Sequence, residues 1–395
     1  MNSRAEKAER PIAFRRVPEV RAVIYQAFVL AALAALFAFL AYTTVDNLQK
    51  QNIATGFGFL TKESGFDIGE TLIPYSPVDS YGRALVVGFL NTLKVAGLGI
   101  VLTVLLGTLM GIARLSRNGL VAGLATAYVE LIRNVPVLLQ LFFWYALFRS
   151  FPGPAKALHP VPGVFLCNRG LMLPFPNLGT PELWVILSLP VAIGLWWWAL
   201  RRVRARRELL GRDGPESWLV HLIVPACLLV VSLAAGASWH LEVPVLQGRN
   251  FRGGASLSPE FGALLLGLVI YTGTFVAEIV RAGILSVDKG QIEAAKSIGL
   301  KQGRILRLVV LPQALRVIVP PLTNQMLNLT KNSSLAVAVG YPDMVSVANT
   351  TLNQTGQAIE GITLIMIVYL AFSLLTSAFM NRYNRRQALR TSSPR

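Results

Sequence analysis

Two pairs of opposite charge lie inside long apolar stretches, Glu130 with Arg133 and Glu278 with Arg281. The i,i+3 spacing sets each pair on one helix face. Charge at membrane depth is expensive, so each pair marks either a gate or pathway element or a structural ion pair near a span end. Lys94 is a lone cation in another apolar stretch, placed to snorkel or to face a cavity. A denser polar set comprises Asn324, Gln325, Asn328, Thr330, Lys331, Asn332, Ser333 and Ser334. Asn and Gln both donate and accept hydrogen bonds. The set can therefore serve the carboxylate and ammonium of a zwitterion, or act as polar glue between packed helices. His159, His221 and His240 are scattered, and Cys167 and Cys227 lack metal-type spacing. No metal site and no catalytic group is expected, and the cysteines read as small apolar fillers. No G-x-x-x-x-G-K-[ST] pattern occurs, so the chain is not expected to hydrolyse ATP by that route.

The elements that position these residues follow from composition. The 395 residues are 53% hydrophobic and 14% charged, where a soluble chain has about a quarter charged. Apolar runs of about 20 residues are what a bilayer requires of a crossing helix. Eight segments qualify: 22–45, 84–113, 121–149, 183–200, 218–236, 259–285, 317–340 and 358–381. The fold class expected is all-α and polytopic. The fourth and fifth spans are short, and the seventh is interrupted by Pro320, Pro321, Lys331 and Asn332.

With the N-terminal tail cytoplasmic, the inner segments 1–21, 114–120, 201–217, 286–316 and 382–395 hold 25 of the 37 Lys and Arg residues. The outer loops 46–83, 150–182, 237–258 and 341–357 hold 7. That imbalance places both termini in the cytoplasm. It also accounts for the net charge of +17 without nucleic acid, because the basic residues mark span edges rather than one groove. The first apolar run lacks an Ala-x-Ala cleavage site and reads as a retained anchor. The loop 150–182, rich in Pro and Gly, reads as an irregular cap.

The segment 286–316 is long for a connection and amphipathic. Its spacing predicts two short helices hinged at Gly299, a residue suited to a left-handed helix end, with Pro312 closing the second. Ala294 and Ala295 offer a slim face for close packing by another protein; an interfacial helix lying on the membrane is the alternative.

Glu293, Ala294, Ala295, Gly299, Leu311 and Pro312 together resemble the EAA loop of ATP-binding cassette importer permeases, with Val309 where isoleucine is more usual. Residues 88–149 and 271–340 resemble permeases for polar amino acids, the group handling histidine, glutamate, glutamine, arginine and opines. The added N-terminal span and the 150–258 insertion are similar to the longer subunit of general L-amino acid permeases. The resemblance implies a type I importer permease fold in the bacterial inner membrane, with loop 286–312 coupling to the ATPase. It divides the chain into a tail (1–21), an anchor helix with outer loop (22–83), core (84–149), insertion (150–258), core (259–381) and tail (382–395). It further implies two ATPase subunits holding ATP and Mg, a second and different permease, a periplasmic amino acid binding protein and surrounding lipid. Where relatives often carry Lys-Asp-Thr-Ser this chain has Lys331-Asn332-Ser333-Ser334, which argues against a strictly cationic substrate. An ion-coupled secondary amino acid transporter is the competing reading, and it predicts inverted repeats with intramembrane acids. A membrane-bound enzyme is a further one, and it needs a His or Asp cluster that the sequence lacks.

Overall fold

The computed structural model describes residues 18–50, 55–176, 179–210, 218–248 and 250–389. Most of the two expected tails (1–17 and 390–395) and the stretch 211–217 of the third basic segment lie outside the described residues. All eight expected spans are helical. In chain order the helices are α1 (Pro18–Lys50), α2 (Tyr81–Ala113), α3 (Gly119–Arg133), α4 (Val137–Arg149), α5 (Thr180–Leu210) and α6 (Ile223–Ala235). There follow α7 (Pro259–Leu285), α8 (Lys289–Ser297), α9 (Gln302–Ile305), α10 (Leu311–Asn332), α11 (Met344–Thr355) and α12 (Ala358–Leu389). Among the described residues, six helices are long and apolar enough to cross a membrane alone.

The third expected span is not straight. α3 and α4 meet at 102°. Pro136 forces the residue before it out of helical geometry, and the carbonyls this frees need partners in an apolar setting. Gln140 supplies them, donating to the Ile132 and Val135 carbonyls at 3.0 and 2.9 Å. The fifth span is a 3-10 turn at Leu219–Leu222 running into α6, and Leu219–Ala235 is short for a crossing. The interrupted seventh span is helical through both prolines and tightens to a 3-10 turn only at Ser333–Val339.

Close packing of α2 against α7 forms the centre. Gly99, Thr103, Gly107 and Gly111 recur every four residues on α2 and are all buried or half-buried toward its neighbours. A methyl group at Gly107 would fall 2.5 Å from Val276 Cβ, and one at Gly111 2.6 Å from the Ala277 carbonyl. Small residues at this spacing let helix backbones approach within a bilayer, where packing rather than the hydrophobic effect drives association. Val95, Leu141, Phe261, Leu264, Leu268, Leu329 and Tyr341 fill one half of the core. Val276, Val280, Ile305, Ala314 and Ile318 fill the other.

The cap expected to be irregular carries a small β structure within an otherwise helical chain. β1 (Leu158–Val161), β2 (Val164–Cys167) and β3 (Gly170–Leu173) form an antiparallel meander. Near α7 the chain returns through β8 (Ala255–Leu257), which pairs with β3 in the register Leu171↔Leu257. Two further pairs, β4–β5 (Phe175–Pro176 with Leu241–Glu242) and β6–β7 (Val245–Gln247 with Asn250–Arg252), complete it. Cys167 is buried beneath the sheet with Met172 and Phe251, a filler as expected. The segment 341–357, expected to be an outer loop, is mostly the helix α11.

Candidate functional site

The 286–316 segment is built by ordinary helix chemistry. Asp288 caps α8, its Oδ1 accepting from the Gly290 amide. Gly299 adopts φ +81°, its amide donates to the Lys296 carbonyl at 2.9 Å, and the Leu300 amide reaches back to the Ala295 carbonyl at 3.2 Å. That double closure ends the helix and turns the chain sharply, so the hinge at Gly299 is present. Pro312 does not close the second helix. It stands in the first turn of α10, where a missing N–H costs little, and Leu306–Val310 widens to a π turn that carries α9 into α10 without a break. Gln313 Nε2 donates to Gln291 Oε1 at 2.6 Å, tying α8 to the base of α10.

The two alanines separate. Ala295 is buried among Val287, Ile305 and Val310, so it packs on its own chain rather than on the outward face assigned to it from sequence. Glu293 and Ala294 face outward with Lys296. Ile298, 77% exposed beside the Gly299 turn, joins that surface. Sequence reasoning passed over Ile298, although an isoleucine immediately before a helix-ending glycine in a basic segment is a readable signal. Leu311 and Pro312 are exposed at the start of α10.

On α10, Asn324, Asn328 and Lys331 follow at i, i+4 and i+7 and are exposed on one face, with Gln325 and Asn332 half-buried beside it. A polar stripe in a span needs water or another protein against it rather than hydrocarbon. Lys331 and Ser334 also line a cleft of about 710 Å³ shared with Thr363 and Tyr369 of α12. Thr330 and Ser333 lie on the other side, buried, with their hydroxyls donating to the carbonyls of Met326 and Thr330 at 2.9 and 2.7 Å. Ser333 is therefore not part of the stripe.

The charged pairs resolve differently. Glu278 meets Arg281, Nη2 to Oε1 at 2.6 Å, and is also bonded by Arg114 from the end of α2. Glu130 and Arg133 make no ion pair with each other. Both are exposed, and the Arg133 guanidinium lies 4.9 Å from the Phe275 ring centroid. Lys94 turns toward the N-terminal end of α2, where Nζ reaches Glu70 Oε2 at 3.0 Å and lies over the Phe261 ring. Glu70, which also receives the Ser258 hydroxyl at the start of α7, carries no sequence signal of this role.

Asp343 caps α11, its Oδ1 accepting from the Ser346 amide at 2.9 Å. The residue is fully buried and Oδ2 has no hydrogen-bond partner. Burial raises its carboxyl from the ordinary value to about 7, against the opposing pull of the amides that cap it.

A multi-helix membrane core, a braced basic segment at one end and a polar stripe on an exposed span face define a membrane transport component. The chain belongs to the family of binding-protein-dependent transport system inner membrane components, whose pattern matches residues 103–389. The permease protein YhdX of Escherichia coli (strain K12) is 48% identical over 94% of this chain and 95% of its own length. The general L-amino acid transport system permease protein AapQ of Rhizobium johnstonii is 45% identical over 94% and 93%. The glutamate/glutamine/aspartate/asparagine transport system permease protein BztB of Rhodobacter capsulatus is 40% identical over 92% and 93%.

Proposed function

We propose that the chain is one permease subunit of an ATP-binding cassette importer carrying polar L-amino acids across the bacterial inner membrane. The substrates named for AapQ and BztB support the amino acid assignment, and the inner membrane family favours a binding-protein-fed, ATP-driven importer over an ion-coupled carrier. Both termini and the 286–316 segment face the cytoplasm, a placement that the distribution of Lys and Arg supports. Two separate ATPase subunits hold ATP and Mg, a second, different permease completes the pore, and an extracytoplasmic binding protein delivers substrate.

One observation carries this reading: α8 is locked to its own chain through Ala295 and Gln291 while Glu293, Ala294 and Ile298 stand free. A helix braced on one side and open on the other can receive a push and pass it on. Closure of the ATPases displaces α8, and α10 moves with it through the Gln313 link and the unbroken π turn. The Asn324, Asn328 and Lys331 face, with Gln325 and Asn332, then alternates between inner and outer openings. Its amides donate to the carboxylate and accept from the ammonium of a zwitterion, and Lys331 adds a cation for the carboxylate. Arg114, Glu278 and Arg281 hold the inner ends of α2 and α7 together as the gate's fixed frame.

The test is ATP-dependent uptake of labelled L-amino acids by the whole transporter carrying Glu293→Lys or Ala294→Trp. Uptake falls by at least tenfold while the permease remains in the membrane at its usual level. Uptake that survives both substitutions, or that runs on an ion gradient without ATP, overturns the reading.

A further inference from the structure

We propose that an apolar cleft at the basic end of the core holds an acyl chain of an anionic phospholipid, with arginines at its rim taking the headgroup. The cleft, about 600 Å³, lies between the ends of α2 and α7, the π turn and the base of α10, and reaches the start of α3. Of its sixteen lining residues only Thr108 and Ser116 are polar. Leu115, Ile284, Leu306 and Leu315 are typical of its walls, and Leu306 and Leu315 are 49% and 43% exposed. A hollow of this size in close-packed protein forfeits dispersion contacts unless something fills it.

Charge identifies the occupant. Arg114 and Arg281 share the single carboxylate of Glu278, leaving one positive charge over. The Arg114 Nε–H is buried without an acceptor, and the residue sits between the lining residues Ala113 and Leu115. Arg117 and Arg307, each next in the chain to a lining residue, are exposed and make no ion pair among the described residues. Basic pockets between membrane helices select anionic headgroups. A phospholipid brings both halves, a hydrocarbon chain for the cleft and a phosphate for the guanidinium groups, and the bilayer around the protein supplies it. Because the π turn forms one wall, the bound chain braces the joint between α9 and α10.

The experiment purifies the full chain in mild detergent and measures retention of phosphatidylglycerol against phosphatidylcholine of matched acyl chains by native mass spectrometry. Phosphatidylglycerol is retained preferentially by the unsubstituted protein. In the Arg117→Gln/Arg307→Gln double variant its apparent affinity falls roughly thirtyfold, from two lost basic contacts, while phosphatidylcholine is unaffected. Thr108→Phe, which fills the cleft, displaces the lipid with the arginines intact. Equal retention of the two lipids by the unsubstituted protein overturns the proposal, as does a double variant that binds phosphatidylglycerol undiminished. A cross-link from Leu115→Cys to another protein chain, in place of lipid, also overturns it.

Discussion

Asp343 gives the sharpest quantitative expectation, because its two oxygens are treated so differently. Oδ1 caps α11, while Oδ2 is buried with no donor, and no lysine or arginine among the described residues pairs with it. Its folded-state pKa of about 7 lies above the ordinary carboxyl value of 3.8, so the native state holds a proton that the unfolded chain has already released. The native state binds more protons between about pH 4 and pH 7, so stability falls as pH rises through that window and the loss is complete above it. Three units at about 1.4 kcal/mol each set the loss at roughly 4 kcal/mol. Asp343→Asn keeps a good helix cap and removes the charge. The variant should match the parent near pH 4 and exceed it by up to roughly 4 kcal/mol near pH 8. Thermal unfolding of the detergent-solubilised protein, followed by fluorescence of its seven tryptophans, reads this directly. Parallel curves of melting temperature against pH for parent and variant would show that Asp343 is ionised and solvated in the fold, and would refute the reasoning.

Other expectations concern packing and pairing. Gly107→Ala or Gly111→Ala pushes α2 off α7 and should destabilise by about 1–3 kcal/mol, whereas Gly97→Ala, with nothing near its Cβ, should be neutral or mildly stabilising in the same melting assay. Glu70→Gln strands the half-buried Lys94 and should cost about 1–2 kcal/mol after allowing for partial solvent access; a double-mutant cycle with Lys94→Met should recover part of it. Ala295→Leu should lower the melting temperature by overfilling the pocket under α8, while Ala294→Leu should leave melting unchanged and lower only ATP-dependent uptake. Equal melting of these two variants would contradict the division of α8 into inner and outer faces.

Long-range pairing explains most of what the sequence hid. The membrane helices and the Gly299 turn were legible because apolar run length and a helix-ending glycine are local signals. The sheet was not, since β3 finds its partner β8 more than eighty residues later, past two helices, and Pro and Gly in the same stretch spoke for irregular chain. α11 was hidden by its polar composition, Thr350-Thr351-Leu352-Asn353-Gln354-Thr355, and is held by burial of Met344, Val347 and Ala348 against α2. Of the polar set on α10, the exposed stripe follows from helical spacing. Ser333 was misplaced because the set was read by composition rather than phase: nine residues beyond Asn324 at about 100° each, it falls on the opposite side of the helix, buried with Thr330. Glu130 and Arg133 had the right spacing for a pair, but the Phe275 ring holds the guanidinium instead.

The continuity from Gln302 to Val339, 38 residues without a loop, has a geometric corollary. A helical rod conserves phase: whatever angle its base takes, every residue above keeps its bearing relative to that base. One residue inserted between Pro312 and Asn324 would therefore swing the amides and Lys331 by about 100° around the axis, turning the wet side of the rod toward its packed neighbours without touching any residue named here.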